Sequence, residues 1–307
     1  MRYLKHYTDD AYSFISTVIS SLKKHKEDKD AAPENTYKER CNALIAHHKD
    51  YIKCYETNFA RNSLESLEGT HPNLDESDSK DLQKLYHYSR GIIKTLRHDV
   101  LTEDGYENDF CPLCGVNLVN TMDHFIPQKG YPLFAVHPLN LIPSCDTCNK
   151  GKSDNITDKG NRRFWNVYID KPPKENYLKC DVKVGKGGIV EVDFRIERGT
   201  IDANTYRLIE NTMLPKGQNV LEVYKQASGR IISKFINKAV NQIREQRQKK
   251  SLEECLSDLE REVDYEFEEN GVEYIIRKAL VKSSVFKSNL IEELNRQGVS
   301  YKKKEYE

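Results

Sequence analysis

Apolar residues recur at helical spacing through the first hundred residues of the chain. They fall three or four positions apart over residues 11–22, over residues 37–59, and a third time over residues 78–96. Because this spacing lines the apolar side chains along one face of a helix, the pattern predicts three amphipathic helices. The Thr8-Asp9 pair ahead of the first segment is a candidate helix cap.

A hairpin and further helices are predicted in the second half of the chain. Apolar and polar residues alternate over residues 178–184 and 189–196, on either side of a glycine-rich turn at 185–188, which is typical of a β-hairpin. Helical spacing returns at Asp202 and continues through a long amphipathic helix over residues 220–248, with two shorter elements after it. The pattern as a whole predicts an α+β fold that is mostly helical.

Half of the eight cysteines form two close pairs. One Cys-x2-Cys pair is Cys111 and Cys114, the other is Cys145 and Cys148, and thirty residues separate them. This is the spacing of a zinc site with four thiolate ligands. Four sulfurs complete the zinc tetrahedron, so the predicted zinc is structural and a catalytic ion must be a second one. The remaining cysteines occur singly and are expected to be reduced, buried thiols.

Residues that could hold a second ion lie between and beside the cysteine pairs. Asp123 and His124 occupy a short segment with apolar flanks, which we predict to be a strand. Adjacent strand residues point to opposite faces, so a bend or bulge would be needed to bring both side chains to one ion. If residues 145–152 form a helix, Asn149 and Lys152 share one stripe of it with the two cysteines.

These residues together resemble the HNH, or ββα-metal, endonucleases. The resemblance rests on the Asp-His pair, on Asn-Leu at 140–141 and on Cys-x2-Cys-Asn-x2-Lys at 145–152. It is nearest to the zinc-stapled members with two Cys-x2-Cys knuckles, and it covers about a seventh of the chain. The family often has His at the position of Asn149, so the departure bears on ion preference.

The resemblance implies a ββα-metal core with a defined set of catalytic residues. His124 is then the general base that takes a proton from water, as a histidine can near neutral pH. Asp123 and Asn149 bind a catalytic Mg²⁺ or Mn²⁺, whose Lewis acidity stabilises the leaving oxygen. Asn140 pins the loop between strand and helix. Thiolates favour zinc, whereas carboxylate and amide oxygens favour magnesium or manganese.

Any nucleic-acid surface must be a local patch of positive charge. The chain has 48 basic and 48 acidic residues, but residues 145–190 hold ten Lys or Arg against six Asp or Glu. We name as candidate phosphate contacts the basic residues Lys150, Lys152, Arg162 and Arg163. His137 is expected on a surface loop, with a role as an extra ligand or phosphate contact as the alternative.

Three regions and a nuclease function follow from this interpretation. Residues 1–105 form an N-terminal helical region, residues 106–170 the HNH core with its zinc site, and residues 171–307 the hairpin with a C-terminal helical region. The predicted activity is metal-dependent hydrolysis of phosphodiester bonds in DNA. The alternatives are a zinc-organised nucleic-acid-binding module without catalysis, and an RNase or tRNase toxin on the same scaffold.

Context and location are predicted from weaker signals. Residues 164–170, the hairpin and residues 202–211 resemble a group of bacterial standalone HNH proteins, some of which accompany ATPases in anti-phage defence modules. This implies a defence role and a regulatory partner such as an ATPase, and the helical flanks are expected to form a homo-oligomer or a heteromeric complex. No apolar run approaches the ~18 residues of a membrane span, and no signal peptide is recognised. We expect a cytoplasmic protein without a membrane partner.

Overall fold

Helices dominate the computed structural model of the chain, which describes residues 1–23, 28, 31–215, 219–266 and 271–301. Eleven α-helices and four two-stranded antiparallel sheets occur within these residues. The predicted fold class, α+β and mostly helical, is therefore confirmed. Residues 302–307 of the predicted C-terminal region lie outside the described residues.

The helices of the described part of the chain are α1 (Ala11–Ser20), α2 (Tyr37–His47), α3 (Lys49–Ala60), α4 (Glu76–Gln83), α5 (Gly91–Leu101), α6 (Asp146–Gly151), α7 (Ala203–Met213), α8 (Val220–Gln246), α9 (Leu252–Glu266), α10 (Val272–Lys282) and α11 (Ser284–Arg296). The strands are β1 (Thr102–Glu103), β2 (Tyr106–Glu107), β3 (Thr121–His124), β4 (Leu141–Ser144), β5 (Thr157–Asp158), β6 (Asn161–Arg162), β7 (Leu178–Val184) and β8 (Val190–Ile196).

The chain divides into two compact units. One unit combines residues 2–172 with residues 207–218, and the other combines Met1, residues 173–206 and residues 219–307. The first unit therefore contains the N-terminal helices together with both cysteine pairs and the Asp-His segment. The second unit contains the hairpin and the C-terminal helices.

The first predicted helix is present with a different cap. α1 buries the predicted apolar stripe, including Phe14 and Val18, against α2 and α3. Its N-cap is Asp10, whose carboxylate accepts a hydrogen bond from the backbone N–H of Ser13 at 2.7 Å. The prediction of a cap at Thr8-Asp9 was therefore wrong by one residue.

The other two predicted N-terminal helices are each broken into two. His48, with φ −103° and ψ 21°, separates α2 from α3, yet the apolar stripe continues on both sides of it. A turn over residues 84–90 separates α4 from α5, and inside it the hydroxyl of Ser89 pairs with Nδ1 of His87. The spacing of apolar residues does not reveal such short breaks in a helix, because the same face is buried before and after them.

The second unit is built on the predicted hairpin. β7 pairs with β8 in an unbroken register from Leu178 opposite Ile196 to Val184 opposite Val190. α8 packs on β8, and α10 packs on β7 and on α8 and α9. Three helices, not the predicted two elements, follow α8 in the described residues.

Among the helices that the structure describes, none combines the length and the apolar character that crossing a lipid bilayer requires.

Candidate metal centre and active site

The four paired cysteines meet in one buried cluster. The sulfur atoms of Cys111, Cys114, Cys145 and Cys148 all lie within 4.8 Å of one another, and those of Cys114 and Cys145 are 3.9 Å apart. A tetrahedral zinc with Zn–S bonds of about 2.3 Å places its sulfurs about 3.8 Å apart. The cluster therefore fits a structural zinc with four thiolate ligands. Within the described residues it is the one group of this kind.

Local turns aim both cysteine pairs at the cluster. The backbone N–H of Gly115 donates to the carbonyl of Cys111 at 2.7 Å, and Gly115 has φ +70°, a conformation that glycine adopts without strain. Cys145 is the N-cap of α6, and its sulfur accepts from the backbone N–H of Cys148 at 3.5 Å. The first knuckle is thus a tight turn and the second is the start of a helix.

Without a cation, the contacts among the four sulfurs shift the pKa values of the four thiols in opposite directions. Hydrogen bonds among them hold the pKa values of Cys111 and Cys145 below the ordinary thiol range. The same contacts raise the pKa values of Cys114 and Cys148. A dication removes the conflict because its charge stabilises all four thiolates together.

The Asp-His segment lies on the first strand of a small hairpin inside the region that the cysteines enclose. β3 pairs with β4 in a regular antiparallel register, with Asp123 opposite Ile142 and His124 opposite Leu141. α6 follows β4 after one residue and packs against β3. No bulge interrupts this ladder, so the two side chains leave the strand on opposite faces.

The imidazole of His124 is held in one tautomer. Its Nε2 lies 2.8 Å from the carbonyl oxygen of Ala135, and because a carbonyl can only accept, Nε2 carries the proton. Nδ1 is left with its lone pair free to act as a base. The ring of Tyr86 meets the imidazole edge to face at 4.5 Å between centroids. Burial lowers the pKa of His124 to about 4, so the ring is neutral at neutral pH.

The carboxylate of Asp123 is paired with Lys152. Asp123 is 9 % exposed, and its Oδ2 lies 3.3 Å from the ammonium nitrogen of Lys152. The same ammonium donates to the backbone carbonyl of His124 and lies 5.6 Å from the ring centre of Phe125. Burial raises the pKa of Asp123, and the ammonium of Lys152 opposes that shift.

A small cavity adjoins this ion pair. Its volume is about 20 Å³, which is room for about one water molecule. Asp123 and Lys152 line it together with Trp165, whose indole N–H is buried and has no acceptor within the described part of the chain. The rest of the lining is mainly apolar and includes Phe125 and Phe164.

Asn149 lies on the helix that packs against the strand of Asp123. It is half-buried, and its carboxamide makes no hydrogen bond to another described residue. The side chain that reaches Asp123 from this part of the chain is Lys152, directly after the end of α6. The structure thus places Asn149 close in the fold but does not bring it to the cavity beside Asp123.

Asn140 ties down the loop that joins the two strands. Its Oδ1 accepts from the backbone N–H of Ile126 at 2.7 Å, and its Nδ2 donates to the carbonyls of Ile126 and Phe134, both at 3.0 Å. The residue is fully buried. The side chain therefore stabilises the position of the end of β3, where His124 lies.

Three tyrosines hold the hairpin from elements outside it. The hydroxyl of Tyr55, on α3, lies 3.1 Å from Oδ1 of Asn140, and that of Tyr86 donates to the carbonyl of Met122 at 2.7 Å. The hydroxyl of Tyr168 donates to the carbonyl of Leu141 at 2.7 Å. Nothing in the apolar spacing separates a tyrosine that packs from one whose hydroxyl bonds a distant backbone.

The candidate phosphate contacts fall into different environments. Arg162 is 8 % exposed and both of its terminal nitrogens pair with Asp170, so its guanidinium is engaged within the chain and is not presented at the surface. Lys152 points inward to Asp123 and not to the surface. Lys150 is exposed and pairs with Asp146 one helical turn away. Arg163 is half-buried, with its guanidinium over the ring of Phe164 at 5.2 Å.

His137 is a core residue, which corrects the expectation of a surface loop. It is 0 % exposed, and its ring lies against Tyr55 at 4.4 Å between centroids. Neither ring nitrogen has a hydrogen-bond partner within the described residues. Burial lowers the pKa of His137 to about 3, so the ring is neutral. A role as a metal ligand or phosphate contact has no support from this environment.

Comparison with known proteins identifies one relative. The chain is 27 % identical to protein ea31 of Escherichia phage lambda over 164 residues, which cover 50 % of this chain and 53 % of that protein. The chain thus spans about half the length of the curated relative that it matches. It matches no protein-family model and no solved structure.

Replacing Cys145 by Ser is expected to remove the zinc and destabilise the first unit. Three thiolates hold the ion less tightly, and the zinc-binding free energy is part of the folding free energy. Metal analysis should give one zinc per wild-type chain and much less than one in the variant, with a melting temperature lower by at least several degrees. Cys54→Ser, at an exposed single cysteine, is the control and should match wild type. Full zinc content in Cys145→Ser would contradict the assignment.

Replacing Asn140 by Asp is expected to cost more stability than replacing Tyr55 by Phe. The Asp carboxylate cannot donate to the carbonyls of Ile126 and Phe134, which would be left unsatisfied beside a buried negative charge. We expect a loss of about 3 kcal/mol or more in unfolding free energy, against about 1 kcal/mol for Tyr55→Phe, which removes one hydrogen bond. Urea denaturation measures both. Equal effects would show that Asn140 does not stabilise the loop as described.

Stability is expected to fall as the pH drops from about 6.5 to about 4.5. His137 binds a proton in the unfolded chain with an ordinary pKa near 6.5 but not in the fold, where its pKa is about 3. The unfolded state therefore binds more protons in this window, and stability rises with pH. His137→Leu should reduce the loss by about 2 kcal/mol in urea titrations at both pH values. His87→Leu, at an exposed histidine, is the control and should lose as much unfolding free energy between the two pH values as wild type. If His137→Leu also loses as much as wild type, His137 is not the buried neutral histidine that causes the pH dependence.

Proposed function

We propose that this chain is a metal-dependent endonuclease of the HNH type that hydrolyses phosphodiester bonds of DNA. The observation that carries the proposal is the fixed tautomer of His124. Nε2 is held by the carbonyl of Ala135, which leaves a neutral Nδ1 as a base on the strand that also carries Asp123. A general base needs this protonation state before it can accept a proton from water.

The elements around His124 support the same interpretation. β3, β4 and α6 follow one another in the order strand, strand, helix, as the resemblance to ββα-metal nucleases implies. Asp123 and His124 lie at the end of the first strand, and the cysteine cluster joins the start of the helix to the first knuckle. A finger whose only purpose was structural would have no use for a base held in this way.

Two oxygen donors that a second ion could use lie on the neighbouring elements β3 and α6, although Asn149 is not brought to the cavity beside Asp123. Asp123 offers a carboxylate and Asn149 a carboxamide oxygen that no described residue engages, and such ligands suit Mg²⁺ or Mn²⁺. When bound, such an ion would supply Lewis-acid stabilisation of the charge on the leaving oxygen. His124 takes the proton of the attacking water at Nδ1, and the Ala135 carbonyl keeps the ring in position.

Substrate and context rest on the resemblance alone. The name of the phage-lambda relative states no activity, so it neither favours DNA nor adds a partner. Water attacks the same phosphodiester group in DNA and RNA, and RNA is therefore the alternative substrate. The defence role and the ATPase partner stay predictions from the sequence.

Replacing His124 by Ala is expected to abolish cleavage and leave the zinc in place. General-base catalysis contributes roughly 10²–10⁴-fold, so the rate should fall by about that factor. The assay presents supercoiled plasmid, linear duplex, single-stranded DNA and RNA, each with Mg²⁺ and with Mn²⁺. Zinc content and melting temperature are measured on the same samples, and His98→Ala, at an exposed histidine of α5, is the control.

The same assay separates the competing functions. Cleavage of DNA that is lost only in His124→Ala supports the nuclease. Cleavage of RNA alone would favour the RNase alternative. If wild-type protein with full zinc content binds nucleic acid but cuts none of these substrates, the proposal fails and the non-catalytic binding module takes its place.

A further inference from the structure

A second cavity lies in the first compact unit, among the N-terminal helices. It is lined by residues that follow α1 and α4 and by the first residues of α5. Its volume is about 580 Å³, which is within the range of about 300–1,000 Å³ that is typical of small-molecule sites. None of the described residues that line it belongs to the cysteine cluster or to the candidate active site.

Three cationic side chains line this cavity, namely those of Lys23, Lys84 and Arg90. Among the described residues that line it, none carries a carboxylate. The nearby acid is Asp81, whose side chain is only 6 % exposed and whose Oδ2 accepts from two guanidinium nitrogens of Arg40, at 2.9 and 2.7 Å. The cavity wall therefore has an excess of positive charge, which suits an anion.

The two lysines and the arginine are available to a ligand. Lys23 is exposed and makes no ion pair within the part of the chain that the structure describes. Lys84 is about half exposed, and its ammonium lies 3.5 Å from Oδ1 of Asp81. Arg90 donates from Nη2 to the carbonyl of Lys84 at 3.2 Å, while its Nη1 bonds no described residue and is not buried. An arginine that pairs with no carboxylate and is fixed through one nitrogen can offer the other to a phosphate.

The start of α5 adds to the same charge. Gly91 and Ile92, its first two residues, line the cavity, and no side chain caps the N-terminus of this helix. The first N–H groups of a helix have no partner inside it and carry a partial positive charge. This end of α5 reinforces the three cations and would not define a site without them.

The remaining lining is apolar and rigid. Leu22 and Ile92 contribute aliphatic surface, and Tyr37 contributes a ring that is held in place because its hydroxyl donates to the carbonyl of Asp81 at 2.9 Å. A bare inorganic anion would leave this surface and most of the volume uncovered. An organic phosphate, with a charged end and an apolar ring, matches both parts of the lining.

We propose that this cavity binds an organic phosphate of nucleotide size, with its phosphate groups on Lys23, Lys84 and Arg90 and its apolar part towards Tyr37. The inference goes beyond the proposed function and does not rest on it. A nucleic-acid strand carries the same phosphates, but the grooves that bind single strands extend over several nucleotides. The volume of this cavity favours one small molecule.

Calorimetric titration of the full-length, zinc-loaded protein tests the proposal without any cleavage assay. The probes are ADP, pyrophosphate and adenosine, each in buffer without divalent ions. We expect ADP to bind with a dissociation constant at or below about 100 μM, pyrophosphate to bind more weakly, and adenosine to show no measurable binding. Raising the salt concentration from about 50 to about 200 mM should weaken ADP binding several-fold, because the contacts are ionic.

Arg90→Gln is the first test variant. It removes the guanidinium and should weaken ADP binding at least tenfold, since a hydrogen bond between charged groups contributes about that factor or more. Lys80→Gln is the matched control. This lysine is exposed, lies one turn before Lys84, pairs with Glu76 and does not line the cavity, so its loss should change ADP binding less than about twofold.

Gly91→Glu separates binding from folding. A Cβ added at Gly91 meets no atom within 4 Å, so a side chain fits there. A carboxylate in the first turn stabilises a helix, and replacing glycine restricts the unfolded chain. The melting temperature should therefore equal or exceed that of wild type, while repulsion of the phosphates weakens ADP binding at least tenfold. Gly91→Gln, of the same size without the charge, should bind ADP within about threefold of wild type.

The outcomes decide the proposal in either direction. Binding of ADP and pyrophosphate that falls in Arg90→Gln and Gly91→Glu, but not in Lys80→Gln or Gly91→Gln, supports it. Equal binding in wild type and both test variants, or no binding of either phosphate to folded wild type, would overturn it. Single-stranded DNA binding that depends on Arg90 without ADP binding would overturn it too, and would assign the cations to a nucleic-acid surface. Neither Asp123 nor His124 enters these measurements, so a failure of the nuclease proposal leaves their result unchanged.

Discussion

Four buried sulfur atoms lie within 4.8 Å of one another where the first knuckle meets the start of α6. Four thiolates this close would repel one another, and a dication allows all four to be deprotonated together. The cluster closes a loop of thirty residues, and the short β3–β4 hairpin lies within that loop. A two-stranded hairpin is marginal on its own in water. Asp123 and His124 therefore depend on the cysteine cluster for a fixed position.

Contacts from the helical region give the hairpin its second constraint. Tyr55 and Tyr86 reach its loop and its first strand from the region before the knuckles, and both lie in the same compact unit as the cysteines. Asn140 holds the chain just after β3 in place, because its carboxamide bonds both the backbone N–H and the carbonyl of Ile126. The N-terminal helices thus form part of the framework of the site. His124 owes its tautomer to the same loop, because the carbonyl that it bonds belongs to Ala135.

The sequence predicted those features that depend on local spacing. Cysteine spacing identified the metal cluster, two-residue alternation identified β7 and β8, and the Asp-His segment is indeed a strand. Features that depend on distant partners were not predictable. Arg162 was expected at the surface because the neighbouring sequence does not indicate its ion pair with Asp170. His137 was expected to be exposed because the ring that packs against it belongs to Tyr55 on α3, far away in the sequence. The side chain of Lys152 turns inward because the residue lies directly after the end of α6. Residue spacing predicts the end of a helix only to within one or two residues.

We propose that two cations of different chemistry bind in one small region, a sulfur-bound zinc and an oxygen-bound catalytic ion. X-ray absorption at the zinc and manganese edges of one Mn²⁺-loaded sample tests this most directly. We expect four sulfur neighbours around zinc at about 2.3 Å and only oxygen or nitrogen neighbours around manganese. Zinc with light-atom ligands in place of sulfur, or manganese with sulfur in its shell, would contradict it.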